Sequence, residues 1–290
     1  MNRILLAAPL LLTTAAFAPR LFAADNNFNK TLSTNSSPTV SVATGSGYIH
    51  LRPGPDNQVH IVAHLHANSG GWFNGNASDA QSRIEKIVAN PPIVQNGNEI
   101  TIGDRHSNDL YRNISIDYEV SVPRNSAIAA TTGSGDVEVQ DVGASLKAQS
   151  GSGSVRARGI QGPATLGTGS GDIELNETGK GDIKAETGSG SIRLHGVANA
   201  LKASTGSGDI EADGQPTSDW RLSTGSGSVR LNVGNGAKFN LDADTGSGSV
   251  HVEQPITMQG NLNRHHIAGA VNGGGPLIHA NTGSGDIQIR

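Results

Sequence analysis

Residues 168–175 read TGSGDIEL and residues 187–194 read TGSGSIRL, and these two octets predict the architecture of the whole chain. Their opening quartet recurs along the sequence, from Thr132 onward mostly 18 or 19 residues apart. The quartets begin at Thr44, Thr132, Ser150, Thr168, Thr187, Thr205, Thr224, Thr245 and Thr282. Repetition at a fixed period is typical of a solenoid, in which every coil of the chain turns at the same places.

Each repeat contains two alternating runs, one after the quartet and one that returns to the next quartet, as in residues 172–175 and 201–205. Alternation of apolar and polar residues between Gly-rich turns predicts short β-strands. One coil cannot bury its own apolar face, so successive coils must stack. The sequence therefore predicts an all-β fold, a single-chain parallel β-solenoid (β-helix) with about 18–19 residues per coil. The general preference of parallel crossovers predicts a right-handed coil.

Small aliphatic residues occupy the predicted inward positions, in keeping with only 3% aromatic residues. Those after the quartet are Val137, Val139, Val155, Ala157, Ile173, Leu175, Ile192, Leu194, Ile210, Ala212, Val229, Leu231, Val250, Val252, Ile287 and Ile289. Those on the returning strand are Leu146, Ala148, Ile183, Ala185, Leu201, Ala203, Trp220, Leu222, Leu241 and Ala243. We expect the quartets at the corners, where Gly supplies positive φ and the Thr hydroxyls bond turn backbone. The long interval between Thr245 and Thr282 predicts one degenerate coil between them.

Outward side chains after the quartet alternate in charge from coil to coil. They form a predicted register ladder of Glu138, Arg156, Glu174, Arg193, Glu211 and Arg230, followed by His251. The residues before them alternate in step: Asp136, Ser154, Asp172, Ser191, Asp209 and Ser228. Stacked strands lie about 4.8 Å apart, so a slip by one coil would place Glu beside Glu. The alternation thus predicts a two-coil repeat that fixes register.

The N-terminal region differs from the repeats. Arg3, the apolar run of residues 4–18 and small residues near Ala23 predict a signal peptide over residues 1–23 and export to the periplasm, cell surface or medium. No transmembrane span is predicted in the mature protein. Residues 24–125 are expected to form a β-rich cap with the first coils and a helix near 78–90, and residues 126–290 the solenoid repeats.

Two groups of side chains are candidate binding residues. His50, His60, His64 and His66 are conceivable metal ligands, although such residues more often cover a solvated face. A basic column on the returning strands, formed by Lys147, Lys184, Lys202 and Arg221, is the candidate ligand face.

Other chemistry finds little support in the sequence. Alternate turns carry Ser instead of Asp, which leaves too few carboxylates for calcium between coils. No catalytic motif, cofactor-binding motif or cofactor is predicted. The formal charge of −4 gives no electrostatic case for nucleic acid, and the lack of Cys excludes disulfides.

The repeated Gly-Ser-Gly-Asp-[Ile/Val] coils, the strand over residues 116–123 and the run Asn272-Gly-Gly-Gly-Pro276 resemble an exported bacterial adhesin family, domain of unknown function 4097. The resemblance covers about residue 30 to the end of the sequence. It implies a cell-envelope β-solenoid that interacts at the surface, with no enzymatic activity to carry over.

The leading functional hypothesis is a non-catalytic envelope or surface protein, an adhesin or interaction module. It would bind an envelope polysaccharide or another surface protein along one solenoid face. A carbohydrate-active β-helix enzyme, lyase-like or hydrolase-like, is one alternative, and an envelope-stress sensor or scaffold is another.

Overall fold

Two long sheets built from alternate strands of the repeat dominate the fold. The computed structural model describes residues 26–68, 77–103, 109–258 and 263–290. In chain order its elements are β1 (Asn27–Ser33), β2 (Thr39–Thr44), β3 (Ile49–Pro53), β4 (Gln58–Ala67), α1 (Ala77–Ala89), β5 (Ile93–Asn96), β6 (Glu99–Ile102), β7 (Ile114–Val122), β8 (Ala127–Thr132), β9 (Val137–Gln140), β10 (Ser145–Ser150), β11 (Val155–Ile160), β12 (Ala164–Thr168), β13 (Ile173–Glu177), β14 (Ile183–Thr187), β15 (Ile192–Val197), β16 (Leu201–Thr205), β17 (Ile210–Gly214), β18 (Trp220–Thr224), β19 (Val229–Asn232), β20 (Phe239–Thr245), β21 (Val250–Val252), β22 (Ile256–Thr257), β23 (His266–Val271), β24 (Leu277–Thr282) and β25 (Ile287–Ile289).

The strands that follow the quartets lie, together with β1, β4 and β7, in a 12-stranded sheet, here called the ladder sheet, in the order β1-β4-β7-β3-β9-β11-β13-β15-β17-β19-β25-β21. The strands that lead into the quartets lie in a 13-stranded sheet, the return sheet, in the order β22-β23-β20-β24-β18-β16-β14-β12-β10-β8-β2-β6-β5. A rung is one strand of each sheet with the quartet corner between them, and it is named by the first residue of its quartet.

Parallel pairing with a constant offset confirms the predicted solenoid. Leu146 lies opposite Ala164 and Ala164 opposite Ile183, offsets of 18 and 19 residues. The ladder sheet repeats these offsets from Val155 to Ile173 and from Ile173 to Ile192. The hand of the coil stays a prediction.

A column of aliphatic side chains fills the space between the sheets. The inward positions predicted from the alternation are buried, except that Val252 is only partly buried. Most are Val, Ile, Leu or Ala. The larger Tyr118 and Phe239 lie on β7 and β20, each the third strand from an end of its sheet, and Trp220 lies on β18, further inside the stack. Each buried Val, Leu or Ile side chain contributes roughly 1.5–3 kcal/mol and each Ala less, so stability is distributed over many rungs.

The corner glycines are needed for a different reason from the predicted one. Among the described quartet glycines only Gly47 has a positive φ, of 122°. At Gly135 an added Cβ would lie 1.9 Å from the carbonyl oxygen of Gly47, and at Gly208 it would lie 2.1 Å from that of Gly190. Glycine is therefore required because neighbouring corners stack backbone on backbone.

The corner hydroxyls do bond turn backbone, as expected. The hydroxyl of Thr44 donates to the carbonyls of Ser46 and Ile116. The hydroxyl of every other quartet donates to the carbonyl of the second quartet glycine in the neighbouring rung, over 2.7–2.9 Å. Thr205, for example, donates to the carbonyl of Gly190 at 2.8 Å. The bonds satisfy buried carbonyls that would otherwise cost about 1–3 kcal/mol each.

The predicted degenerate coil between Thr245 and Thr282 is wrong. The Thr282 rung, formed by β24 and β25, lies between the Thr224 rung (β18 and β19) and the Thr245 rung (β20 and β21). Beyond the Thr245 rung, β23 pairs antiparallel with β20. The chain therefore turns back and inserts its last rung between two rungs that are consecutive in sequence.

The N-terminal region covers the other end of the stack. The Thr44 rung, β2 and β3, pairs directly with β8 and β9. In the ladder sheet β7, β4 and β1 continue beyond β3, and the hairpin of β5 and β6 ends the return sheet. The helix α1, expected near 78–90, buries Ile84 and Ile87 and contacts β4. The boundary at residue 125 stays a prediction.

The predicted signal peptide lies outside the described residues. Within the ranges that the structure describes, no helix is long and apolar enough to cross a membrane.

Candidate functional site

The outer surface of the ladder sheet carries a series of aspartate contacts that join rungs in pairs. The carboxylate Oδ1 of Asp209 accepts the backbone N–H of Ser228, in the next rung, at 2.8 Å. The same bond, here called the Asp clip, recurs over 2.8–3.0 Å in the pairs Asp117–Tyr48, Asp136–Ser154, Asp172–Ser191 and Asp286–Ser249. These aspartates therefore bond the backbone of a neighbouring strand, a role that the alternation of Asp and Ser in the sequence did not reveal.

The alternation follows the order of strands in space and not their order in the chain. Across the ladder sheet the residues at this position, which is a corner in every rung and lies within β7 for Asp117, run Asp117, Tyr48, Asp136, Ser154, Asp172, Ser191, Asp209, Ser228, Asp286 and Ser249. In sequence, Ser228 is followed by Ser249, which breaks the pattern. The inserted Asp286 restores it.

The predicted register ladder lies in one column of this sheet. Its members are direct strand partners in the order Glu138, Arg156, Glu174, Arg193, Glu211, Arg230. The column continues to Gln288 and His251 at one end and to His50 and Glu119 at the other. Its role in fixing register stays a prediction.

Two guanidinium groups extend from this column to a turn aspartate of the neighbouring rung. Arg156 lies 3.3 Å from Asp136, and Arg230 lies 2.9 Å from Asp209. The amide of Ser228 and then the Arg230 guanidinium lower the pKa of Asp209. The amide and hydroxyl of Ser249 likewise lower the pKa of Asp286. The clips of Asp209 and Asp286 therefore favour the ionised carboxylate.

The basic column lies on the outer face of the return sheet. Lys147, Lys184, Lys202 and Arg221 are exposed, and Lys184 lies beside Lys202, which lies beside Arg221. The two ammonium groups are not isolated, because opposite oxygens of Glu186 lie 2.9 Å from Lys184 and 3.3 Å from Lys202. These two lysines lower the pKa of Glu186, mainly through the hydrogen bond of Lys184. The face is thus mixed in charge, where the sequence suggested a uniformly basic stripe.

The candidate histidines lie on the N-terminal part of the ladder sheet and make separate contacts. His60 bonds Thr31 at 3.0 Å, and His66 lies 3.2 Å from Asp117. His64 is the strand partner of Asp117, while His50 lies in the ladder column. Within the described part of the chain, no group of three or more His, Cys, Asp or Glu is placed to hold a metal ion.

One acidic and imidazole cluster was missed by sequence reasoning. Asp242 on β20 contacts His279 of β24 at 3.1 Å and His266 of β23 at 3.9 Å, and His266 also lies 3.4 Å from Asp244. The cluster ties β20 to both of its neighbours. The insertion of β24 brings these residues together, so only knowledge of the rung order would have revealed it.

A buried carboxyl group was missed as well. Glu177 accepts the N–H of Gly181 at 2.6 Å through one oxygen, and burial raises its pKa. The glutamate closes the loop between β13 and β14. The alternation of β13, with Ile173 and Leu175 inward, was the signal that could have placed Glu177 inward as well.

Comparison with known proteins places the chain in context. The family model described as Toastrack DUF4097 matches residues 74–290. A candidate cell adhesion protein from Clostridium sporogenes is similar at 10% sequence identity and a TM-score of 0.30, with 91% of this chain and 98% of that chain covered. A candidate adhesin from Bacteroides fragilis is similar at 12% identity and a TM-score of 0.39, with 91% and 97% covered. At these TM-scores neither likeness adds to the argument, and no curated protein matches the chain.

Proposed function

Because the chain belongs to the Toastrack DUF4097 family, whose model matches three quarters of it, we propose that it is a non-catalytic, exported surface protein of the cell envelope. In this proposal it binds an acidic envelope polysaccharide along the outer face of the return sheet. The observation that carries the proposal is the row of exposed cations, Lys147, Lys184, Lys202 and Arg221, on one continuous face of stacked strands.

The contacts of Glu186 favour this face as a binding surface. They hold the ammonium groups of Lys184 and Lys202 in place while about half of each side chain stays exposed, 46% and 60%. An ammonium group has three donors, so each can still bond a ligand carboxylate. Side chains that are already ordered lose less conformational entropy when a ligand binds.

Export in this proposal rests on residues 1–23 and on the family assignment. Fractionation of cells that produce the full-length chain tests it: mature protein in the envelope or the medium is expected. Unprocessed protein retained in the cytoplasm would count against it.

The binding proposal is tested with the double variant Lys184→Gln/Lys202→Gln and polygalacturonate as the acidic polymer. We expect binding to weaken several-fold and its salt dependence to fall, because two cations leave the face. The matched control is Arg156→Gln/Arg193→Gln, which removes the same charge from the ladder sheet and should leave binding unchanged. Equal binding by both variants, or no binding by the wild type, would overturn the proposed face.

The same incubation tests whether the protein is a carbohydrate-active enzyme. New reducing ends or unsaturated products from the polyuronate would contradict the non-catalytic part of the proposal. An intact polymer recovered with the protein supports it.

A further inference from the structure

The inserted rung, β24 and β25, occupies a slot between two rungs that are neighbours in sequence. On one side Trp220 pairs with Ile278 and Val229 pairs with Ile287. On the other side β20 and β21 pair with the same two strands of the inserted rung. The Thr224 and Thr245 rungs are therefore joined through a segment that comes later in the chain.

The slot is closely complementary to the segment that fills it. Ile278, Ala280, Ile287 and Ile289 are fully buried there. The Thr282 hydroxyl donates to the carbonyl of Gly227 at 2.7 Å, the same corner bond that Thr205 and Thr224 make within the uninterrupted stack. An empty slot would expose these apolar surfaces and unpair the strand edges on both sides, which is costly in free energy.

The Asp clips make the slot selective. Both flanking rungs carry Ser at the turn, and Asp286 of the inserted rung accepts the N–H and hydroxyl of Ser249 at 2.9 and 3.0 Å. Direct closure of the slot would place Ser228 beside Ser249 and Arg230 beside His251, with no carboxylate between them. An aspartate rung is therefore the segment that fits, and Thr282–Ile289 supplies it.

The inserted rung follows a hinge with unusual backbone angles. Asn272, Gly273 and Gly274 have φ values of 50°, 93° and 82°, and Pro276 ends the turn just before β24. The Asn272 side chain donates to the carbonyl of Ala237 at 2.9 Å, which fixes the start of the hinge. A different set of φ and ψ angles over these few residues would redirect the whole rung.

We propose that the inserted rung is exchanged between two copies of this chain, so that the slot of each copy is filled by residues 277–289 of the other. The exchanged dimer makes the same strand pairs, corner bonds and Asp clip as the monomer. The two forms differ only in the hinge and in the entropy of association, so the dimer fraction should rise with the protein concentration during folding.

The test uses the full-length mature chain, which contains no native Cys. Ser223 and Asn281 are partners across the slot boundary, and the variant Ser223→Cys/Asn281→Cys can be linked by a disulfide or a short bis-maleimide. The protein is unfolded, refolded at low and high concentration, linked and analysed by denaturing electrophoresis and light scattering. We expect a dimer at high concentration whose chains are covalently joined to each other.

The matched control is Ser204→Cys/Ser223→Cys, whose positions are partners within the uninterrupted stack. In the same dimer this pair should link only within each chain. Monomer at every concentration, or dimer in which the 223/281 pair also links only within chains, would overturn the exchange. Thermal unfolding and circular dichroism of each variant establish that it has folded before it is linked.

Discussion

At the scale of single residues, the quartet Thr-Gly-Ser-Gly is a stacking corner. The threonine hydroxyl bonds the preceding rung, and the glycines let the two backbones touch. The chemistry of a turn was readable from the sequence, but the reason for glycine was not. A positive φ and a close approach of two backbones both require glycine. Only the stacking of the rungs shows which of the two reasons applies.

Replacement of a corner glycine should destabilise the protein because of this close approach. Gly208→Ala places a Cβ 2.1 Å from the carbonyl oxygen of Gly190, so the corners must move apart. We expect a loss of roughly 1–3 kcal/mol in the free energy of unfolding, measured by urea denaturation. Gly45→Ala is the matched control, since nothing lies within 4 Å of its added Cβ. Equal losses at both positions would contradict the stacking explanation.

The Asp clips predict a defined dependence of stability on pH. The folded-state pKa of Asp209 lies below its ordinary value of 3.8, so its contribution is present above that pH and is lost as pH falls through the lower, folded-state pKa. Asp209→Asn should therefore reduce the melting temperature at pH 7 and have a smaller effect near pH 2. Its partly exposed position limits the loss to about 1 kcal/mol or less. Asp56→Asn, on an exposed turn, is the control; a difference that persists at pH 2 would count against an ionised clip.

At the scale of the element, strand type and burial could be predicted because alternation of side chains is a direct consequence of pleating. Alternation of Glu and Arg between rungs was readable for the same reason. The sideways contacts, such as Arg156 to Asp136, were not, because side-chain direction depends on packing across rungs. The contacts of Glu186 with Lys184 and Lys202 were missed for the same reason: the sequence showed the column of basic residues, but not that Glu186, two residues after Lys184, reaches both lysines.

Reversal of one charge in the ladder should weaken the ladder sheet. Glu174 lies between Arg156 and Arg193 and contacts Arg158 at 3.1 Å. Glu174→Arg places a fourth cation beside Arg156, Arg158 and Arg193. We expect the free energy of unfolding to fall by about 1–2 kcal/mol, and by less in high salt, because the repulsion is screened. Glu174→Gln removes the attraction without adding repulsion and should lose less. Chemical denaturation at low and high salt measures both, and equal, salt-independent losses would exclude an electrostatic ladder.

At the scale of the whole molecule, the sequence predicted the number of residues per coil but not the order of the last rungs. Period alone cannot encode order, because every rung offers the same backbone edges to its neighbours. The sequence did contain an indication of this order: the rungs of Ser228 and Ser249 are consecutive in the chain, and two serine rungs in a row break the alternation of Asp and Ser. The alignment of Lys184, Lys202 and Arg221 could be predicted for the opposite reason: these residues lie within the uninterrupted stack, where sequence order and spatial order agree. Their role as a ligand face stays a prediction.

The central claim is that the Thr282 rung lies between the Thr224 and Thr245 rungs, where the alternation of Asp and Ser at the corners continues. Disulfide formation in full-length monomer tests it most directly, with the pairs Ser223→Cys/Asn281→Cys and Ser223→Cys/Asp244→Cys. Adjacent strands lie about 4.8 Å apart, a distance that a disulfide can span. Strands two positions apart are separated by about twice that distance, which is too far for a disulfide. The spatial order predicts rapid linkage of 223 with 281 and none of 223 with 244. Rapid linkage of 223 with 244 would mean that the rungs stack in sequence order, and it would contradict the account.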